Sequence, residues 1–332
     1  MSDVTIDVWY GEKQSLLYVA QRWMNILGRI SPIDEVETLA YRLNESEPKQ
    51  ISWGADLRRL AGRGDFNIEL DAQALSVGDN PIDIIVEMNN GKTHTKTLII
   101  QKQKTTPQLP FAVQWDRHQS ILDIGQVTDG RWRIGNSQVW VEESGYDRAI
   151  ALGDIQWANY QVTVPITIYG FSASGTNPMS GGYGVGMALY WQGHVDWEVD
   201  EYSADQPRFG YEPIGGMAWY GWDKEYGFQL RLEGHDASST LALDVKGFQA
   251  DFGETFYLKF SVQNQPESSN YYKLKAWSAT ATEPDTWNAV AYGSEGELSH
   301  GSVLLLAHHT VCSFGDVLIE STADERLSNE LV

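Results

Sequence analysis

Apolar and polar residues alternate along most of this chain. "VTIDVWYG" alternates from the start, and "VETLAYRLN" sets Val36, Thr38 and Ala40 against Leu39, Tyr41 and Leu43. Successive strand residues face opposite sides of a sheet, so this period of two predicts strands. "RWMNILGRI" and "DFNIELD" add two more. "NPIDIIVEMNNGKTHTKTLIIQKQ" carries an Asn-Gly signal between two β-rich runs, which predicts a hairpin. Beyond Phe111 the same texture continues in "QVWVEES", "YQVTVPITIYGF", "YGVGMALYWQG", "YGFQLRLEG", "TFYLKFSVQN", "YYKLKAW" and "GSVLLLAHHTVCSFGDVLIES". No long stretch has the 3.6-residue period of a helix. The second region reads as about 12 to 14 strands, too many for one immunoglobulin-like module, and a two-sheet jelly roll fits.

The segment "KTTPQLPF", Lys104 to Phe111, places two prolines between strand-like regions and reads as a stiff linker. The expected division is residues 1–104 as one β-sandwich, 105–110 as linker, 111–322 as a jelly roll and 323–332 as an acidic tail. Charge supports a division. Residues 1–110 carry 12 basic and 15 acidic side chains, whereas residues 111–332 carry 12 and 30, within a net charge of −21.

That charge excludes nucleic acid as a partner, because phosphate neutralisation needs clustered Lys and Arg. An acidic membrane surface would also repel the chain, and no run reaches the ~18 apolar residues of a span. The single cysteine, Cys312, lies in an apolar run and reads as a small core residue. "MSDVTIDVWYGEKQ" does not read as a signal peptide. "RGD" at Arg63–Asp65 reads as turn chemistry ahead of a strand.

Several of these stretches resemble known families. Residues 3–103, through "WMNILGRIS", "LAYRLN", "RRLAGRGDFNIELD" and the hairpin, are similar to the immunoglobulin-like and cadherin-like modules of bacterial surface proteins. "WANYQVTVPITI", "GVGMALYWQGH", "YYKLKAWSATATEPDTW" and "GSVLLLAHHTVCSFGDVLIE" resemble the concanavalin A-like lectin and glucanase superfamily, closest to laminin G-like jelly rolls. The resemblance implies an all-β chain, an immunoglobulin-like β-sandwich followed by a concanavalin A-like jelly roll. It implies carbohydrate chemistry without choosing between lectins, adhesion modules, glycosidases and lyases.

The residues narrow that choice. Family 16 glycosidases of this fold carry Glu-x-Asp-x-Glu on one strand, which sets two carboxylates on one face to flank a sugar bond. Here "EVDEY" supplies Glu198 and Asp200, but Tyr202 stands where the second glutamate belongs, and Glu201 faces away. A lyase would need a Tyr or His base with a cation, for which His194, Tyr190, Tyr202, Arg208 and Arg231 have the right chemistry. The Gln-x-His strand motif of alginate-degrading jelly rolls is missing. If the chain is an enzyme, Glu198, Asp200 and His194 are the expected catalytic set.

Aromatic content (13 Trp, 16 Tyr) suits stacking on sugar faces. The expected ligand surface is Trp191, Gln192, His194, Trp197, Arg208, Trp219 and Trp222. His308 and His309 are adjacent on a predicted strand and so should face opposite sides, unable to share a metal. Jelly rolls of the resembled type often hold a structural Ca²⁺, and the matching positions are Glu142, the Gly145 carbonyl and Asp316. The expectation is a non-catalytic, extracellular or surface carbohydrate-binding or adhesion protein. Polysaccharide cleavage by a hydrolase or lyase is one alternative, and self-association as a structural subunit is another.

Overall fold

The computed structural model describes residues 4–172, 182–196, 207–266 and 269–322. The chain is all-β, as the alternation predicts. Its N-terminal strands form two sheets. One joins Thr5–Val8, Trp23–Ser31 and Asp65–Asp71 in that order. The other runs Lys13–Leu16, Thr93–Lys102, Gly78–Met88, Val36–Leu43 and Lys49–Gln50. The predicted hairpin is present: Glu87 pairs with Thr93 across the turn, and Gly91 takes the left-handed φ of 80° that the turn demands. Along Gly78–Met88 the even positions Ile82, Ile84, Val86 and Met88 are buried. They meet Met24, Ile26, Phe66 and Ile68 from the opposite sheet in one core.

The remaining strands form a larger two-sheet jelly-roll sandwich. Its seven-stranded sheet runs Gly125–Asp129, Arg148–Leu152, Ser302–His308, Tyr183–Trp191, Gly216–Asp223, Gly227–Glu233 and Thr240–Leu243. Its nine-stranded sheet runs Trp132–Gly135, Gln138–Val141, Thr310–Phe314, Tyr160–Phe171, Thr255–Asn264, Asn270–Ser278 and Ala289–Tyr292, with Val317–Ser321 and Phe111–Val113 alongside. Val185, Met187, Val303 and Leu305 from the first sheet pack on Val162, Val164, Leu258 and Phe260 from the second. Cys312 is buried in this core, where loss of solvent pushes its thiol pKa up.

The far face of the seven-stranded sheet is also covered. Ala149, Ala151, Ala188, Leu304 and Leu306 alternate with the core residues and form a second apolar layer with Ala20, Trp191, Ile214, Met217 and Trp219. Ala20 comes from the connection between Lys13–Leu16 and Trp23–Ser31, so the N-terminal region meets the sandwich on this face. A buried ionic network fastens them. Arg59 lies 2.6 Å from both Asp129 and Glu69, and His194 Nε2 lies 3.1 Å from the other Asp129 oxygen. Burial opposes the charge on Asp129, but Arg59 and His194 together hold its carboxyl below the usual range. Backbone bonds from Arg22 to Gln192 and from Ile155 to Val19 complete the seam.

Candidate functional site

Most of the expected ligand surface serves this seam instead. Trp191 is 0% exposed, its indole edge-on to His194 at 5.3 Å. His194 is itself buried, and its carbonyl accepts from Trp23 Nε1 at 2.7 Å. The strand shifts register between Leu189 and Trp191, with Tyr190 at a φ of 58°. Tyr190 and Trp191 therefore enter opposite apolar layers. Gln192 donates to the His300 carbonyl at 3.0 Å. Arg208 pairs with Glu69 at 3.0 Å and lies over the Trp23 ring at 4.1 Å. Trp222 packs against Phe171 and Tyr183. Trp197, Glu198 and Asp200 lie outside the described residues, as do Glu201 and Tyr202. Hydrophobic burial and a charged seam thus take up Trp191, His194 and Arg208.

Each of the expected calcium ligands has a protein partner. Glu142 pairs with Arg131 at 3.1 Å, the Gly145 carbonyl accepts from the His309 amide at 2.8 Å, and Asp316 accepts from the Trp115 amide at 3.1 Å. The three partners differ, and no cluster of three metal-ligating side chains occurs among the described residues. The two histidines also depart from expectation. His309 sits in a left-handed turn (φ 49°) between two strands, so its ring lies 4.4 Å from that of His308 rather than across the sheet.

Trp219 leads to a different place. It borders a hollow of about 220 Å³ on the far face of the seven-stranded sheet. Three strands of the seven-stranded sheet supply its floor side chains by alternation, with Tyr183–Trp191 running between the first two. Leu306 and His308 come from Ser302–His308, Met217 and Trp219 from Gly216–Asp223, and Arg231 and Glu233 from Gly227–Glu233. Met217 stands opposite Glu233, and Trp219 opposite Arg231. Between the first two strands, Gly186 faces both Leu306 and Trp219. A Cβ there would come within 2.1 Å of the Ala218 carbonyl and 2.9 Å of the Trp219 ring, so the glycine lets the indole lie down. Tyr146, Asp147 and Tyr211 close the sides.

The hollow concentrates titratable groups. His308 Nδ1 is 2.7 Å from Asp147 Oδ1, and both residues are buried. With Asp147 accepting from Nδ1–H, the neutral ring carries its lone pair on Nε2. His308 Nε2 is buried and has no hydrogen-bond partner. The Tyr146 ring meets His308 edge-on at 5.0 Å. Across the floor, burial pushes the Glu233 carboxyl up to about 7, against the pull of Arg231, whose Nε is 3.4 Å away. Burial likewise raises the Tyr211 phenol well above its usual value, with Asp147 adding to it. An oriented imidazole and a carboxyl that is half protonated near neutrality are a base and an acid in one hollow.

Asp147, His308, Glu233, Tyr146, Tyr211 and Arg231 were not picked out together from the sequence. Their segments, "GYDR", "RFGYEP", "RLEGHD" and "AHHTV", are spread along the chain. The available signal was weak: Arg231 and Glu233 share parity on one predicted strand, but nothing local tied them to His308.

No family model matches the chain, and no curated protein matches it. Solved structures overlap it partly. Alginate lyase Aly36B matches with a TM-score of 0.41 at 10% identity, over 65% of this chain and 98% of that one. The exoplasmic/lumenal domain of VIP36, in a Ca²⁺/Man3GlcNAc-bound form, matches at 0.36 and 10% identity, over 58% and 84%. A structure described with endo-acting O-glycanases of the human gut microbiota matches at 0.37 and 10% identity, over 64% and 98%. Overlap at this level carries no assignment, and the functional reading rests on the hollow itself.

Proposed function

We propose that the chain binds a carbohydrate in the hollow bordered by Trp219 and cleaves it by acid–base chemistry. The observation that carries this reading is His308, held by Asp147 at Nδ1 and left without a protein partner at Nε2. In a glycan complex Nε2 would take or deliver a proton at the scissile unit, and Glu233 would serve as its counterpart. Trp219 and the two tyrosines offer ring surface to a sugar face, and Arg231 offers donors to hydroxyl or carboxylate oxygens. Such a target sets the protein outside the cell or at its surface.

The test is incubation with β-glucans, galactans, alginates and mucin-type glycans, followed by assay for new reducing ends and for 4,5-unsaturated products. Turnover by the wild type that is abolished in His308→Asn supports the proposal. Absence of products from every polymer, with a folded protein, overturns cleavage. The second reading is binding without cleavage, favoured by the aromatic lining and by the Arg231–Glu233 pairing, which spends part of the carboxylate's reactivity. It predicts a glycan-array signal that is lost in Trp219→Ala and has no accompanying products.

A further inference from the structure

Two walls of the hollow are braced from the N-terminal region. Arg58 and Arg59 are consecutive in the connection between Lys49–Gln50 and Asp65–Asp71, and both are buried. The Arg58 guanidinium carbon lies 5.6 Å from the centroid of the Tyr146 ring and 4.7 Å from that of Phe209. Both distances are within the range of a cation–π contact. Tyr146 lines one wall of the hollow. Phe209 stands two residues before Tyr211, which lines another. Arg59 donates to the carbonyl of Arg208, next to Phe209, while its Nε bonds Asp129 at 2.6 Å.

The turn that carries Asp147 is gripped at several points. Arg29, on Trp23–Ser31, pairs with Glu143 at 3.3 Å. Arg148 Nε donates to the Glu143 carbonyl at 3.1 Å, and its Nη1 lies 3.5 Å from the Arg58 carbonyl oxygen. The Gly145 carbonyl accepts from the His309 amide at 2.8 Å. Among these fixed points Asp147 has a φ of 38°, in the left-handed region. A residue other than glycine keeps that conformation only where its surroundings over-determine it. Arg58 touches both sequence neighbours of Asp147, Tyr146 through its side chain and Arg148 through its carbonyl. Asp147 Oδ1 in turn meets His308 Nδ1 at 2.7 Å.

We infer that the hollow is a composite site of both regions of the chain, in which Arg58 is the positioning residue for the Asp147–His308 pair. Arg58 does not itself line the hollow, so it acts through the turn. Without its guanidinium the Tyr146 and Phe209 rings lose a shared support. Asp147 then relaxes toward an ordinary backbone conformation and its carboxylate leaves Nδ1. The imidazole loses the bond that keeps its proton on Nδ1 and its lone pair on Nε2. The role of Arg58 in turnover rests on the acid–base reading of the hollow. Its role in fixing the imidazole is measurable without any substrate.

The test compares the full chain with Arg58→Met and Arg58→Lys. Long-range ¹H–¹⁵N spectra read the histidine tautomers at a pH where the rings are neutral, and His308→Asn identifies the His308 signals. The wild type should hold His308 in one tautomer, protonated at Nδ1. Arg58→Met should shift it toward the Nε2–H tautomer, and Arg58→Lys, which keeps the cation, should restore the wild-type signals. On any polymer that the wild type cleaves, Arg58→Met should lower kcat by about tenfold or more while KM stays nearly constant, with recovery in Arg58→Lys. Circular dichroism checks the fold. If Arg58→Met does not fold, Phe209→Leu removes one of the two rings under the guanidinium and should move the tautomer the same way. An unchanged Nδ1–H tautomer in the variant that is read would overturn the inference, and so would a wild type already divided between tautomers. A wild type that cleaves no polymer defeats the acid–base reading, and the tautomer alone then decides whether Arg58 positions the pair.

Discussion

Arg59 and Asp129 are in contact at 2.6 Å, although one lies in the connection between Lys49–Gln50 and Asp65–Asp71 and the other ends the first strand of the seven-stranded sheet. Their side chains are 2% and 0% exposed. A buried pair adds modestly to stability when intact, but losing one partner leaves an uncompensated charge. Arg59→Met should therefore destabilise the protein by about 3–5 kcal/mol. Chemical denaturation followed by tryptophan fluorescence measures this, and a loss below about 1 kcal/mol would show that the seam is dispensable.

The Asp147–His308 pair makes a prediction about chemistry. Asp147→Asn keeps the shape but removes the charge that orients the imidazole. Turnover should fall by about 10²–10⁴-fold, with the melting temperature changed far less than by Arg59→Met. Equal turnover in the variant would sink the assigned role.

Glu233 ties stability to pH. Its folded carboxyl is raised to about 7 from 4.5, because burial penalises the charge. A raised folded pKa means that this contribution to stability is full below about 4.5 and is lost as pH rises through about 7. The shift sets an upper figure of about 3 kcal/mol. Glu233→Gln should flatten the stability profile between those values and be more stable than the wild type at pH 8. A profile with the same slope in both proteins would contradict the burial argument.

Gly186 tests the floor of the hollow. Gly186→Ala forces a methyl group against the Ala218 carbonyl and the Trp219 ring, so the strand or the indole must shift. Overpacking of this kind costs about 1–3 kcal/mol. A lower melting temperature should accompany weakened glycan binding. Retention of both would place Trp219 outside the site.

Much of the fold was legible in the residues, and the reason is local. Gly78–Met88 announces itself by period-two burial, and the Asn-Gly turn by backbone conformation. The candidate site was less legible. Trp191, His194 and Arg208 have the chemistry of a sugar site, yet a strand's outward face looks the same in sequence whether another sheet covers it or solvent does. The N-terminal region covers one part of the far face, with Ala20 in its apolar layer and Trp23 bonded to His194, and leaves another part hollow at Trp219.

By itself, then, the sequence determined that this chain is all-β, that its strands alternate between buried and open faces, and that its second part is acidic and rich in aromatics. Only the tertiary structure decided which aromatic residues are core and which border a cavity. It also decided that Asp147 and His308, 161 residues apart, form a pair. The physical reason is that alternation is a property of each strand, whereas a site on a sheet is a property of strands placed side by side, and sheet order depends on contacts far apart in the chain.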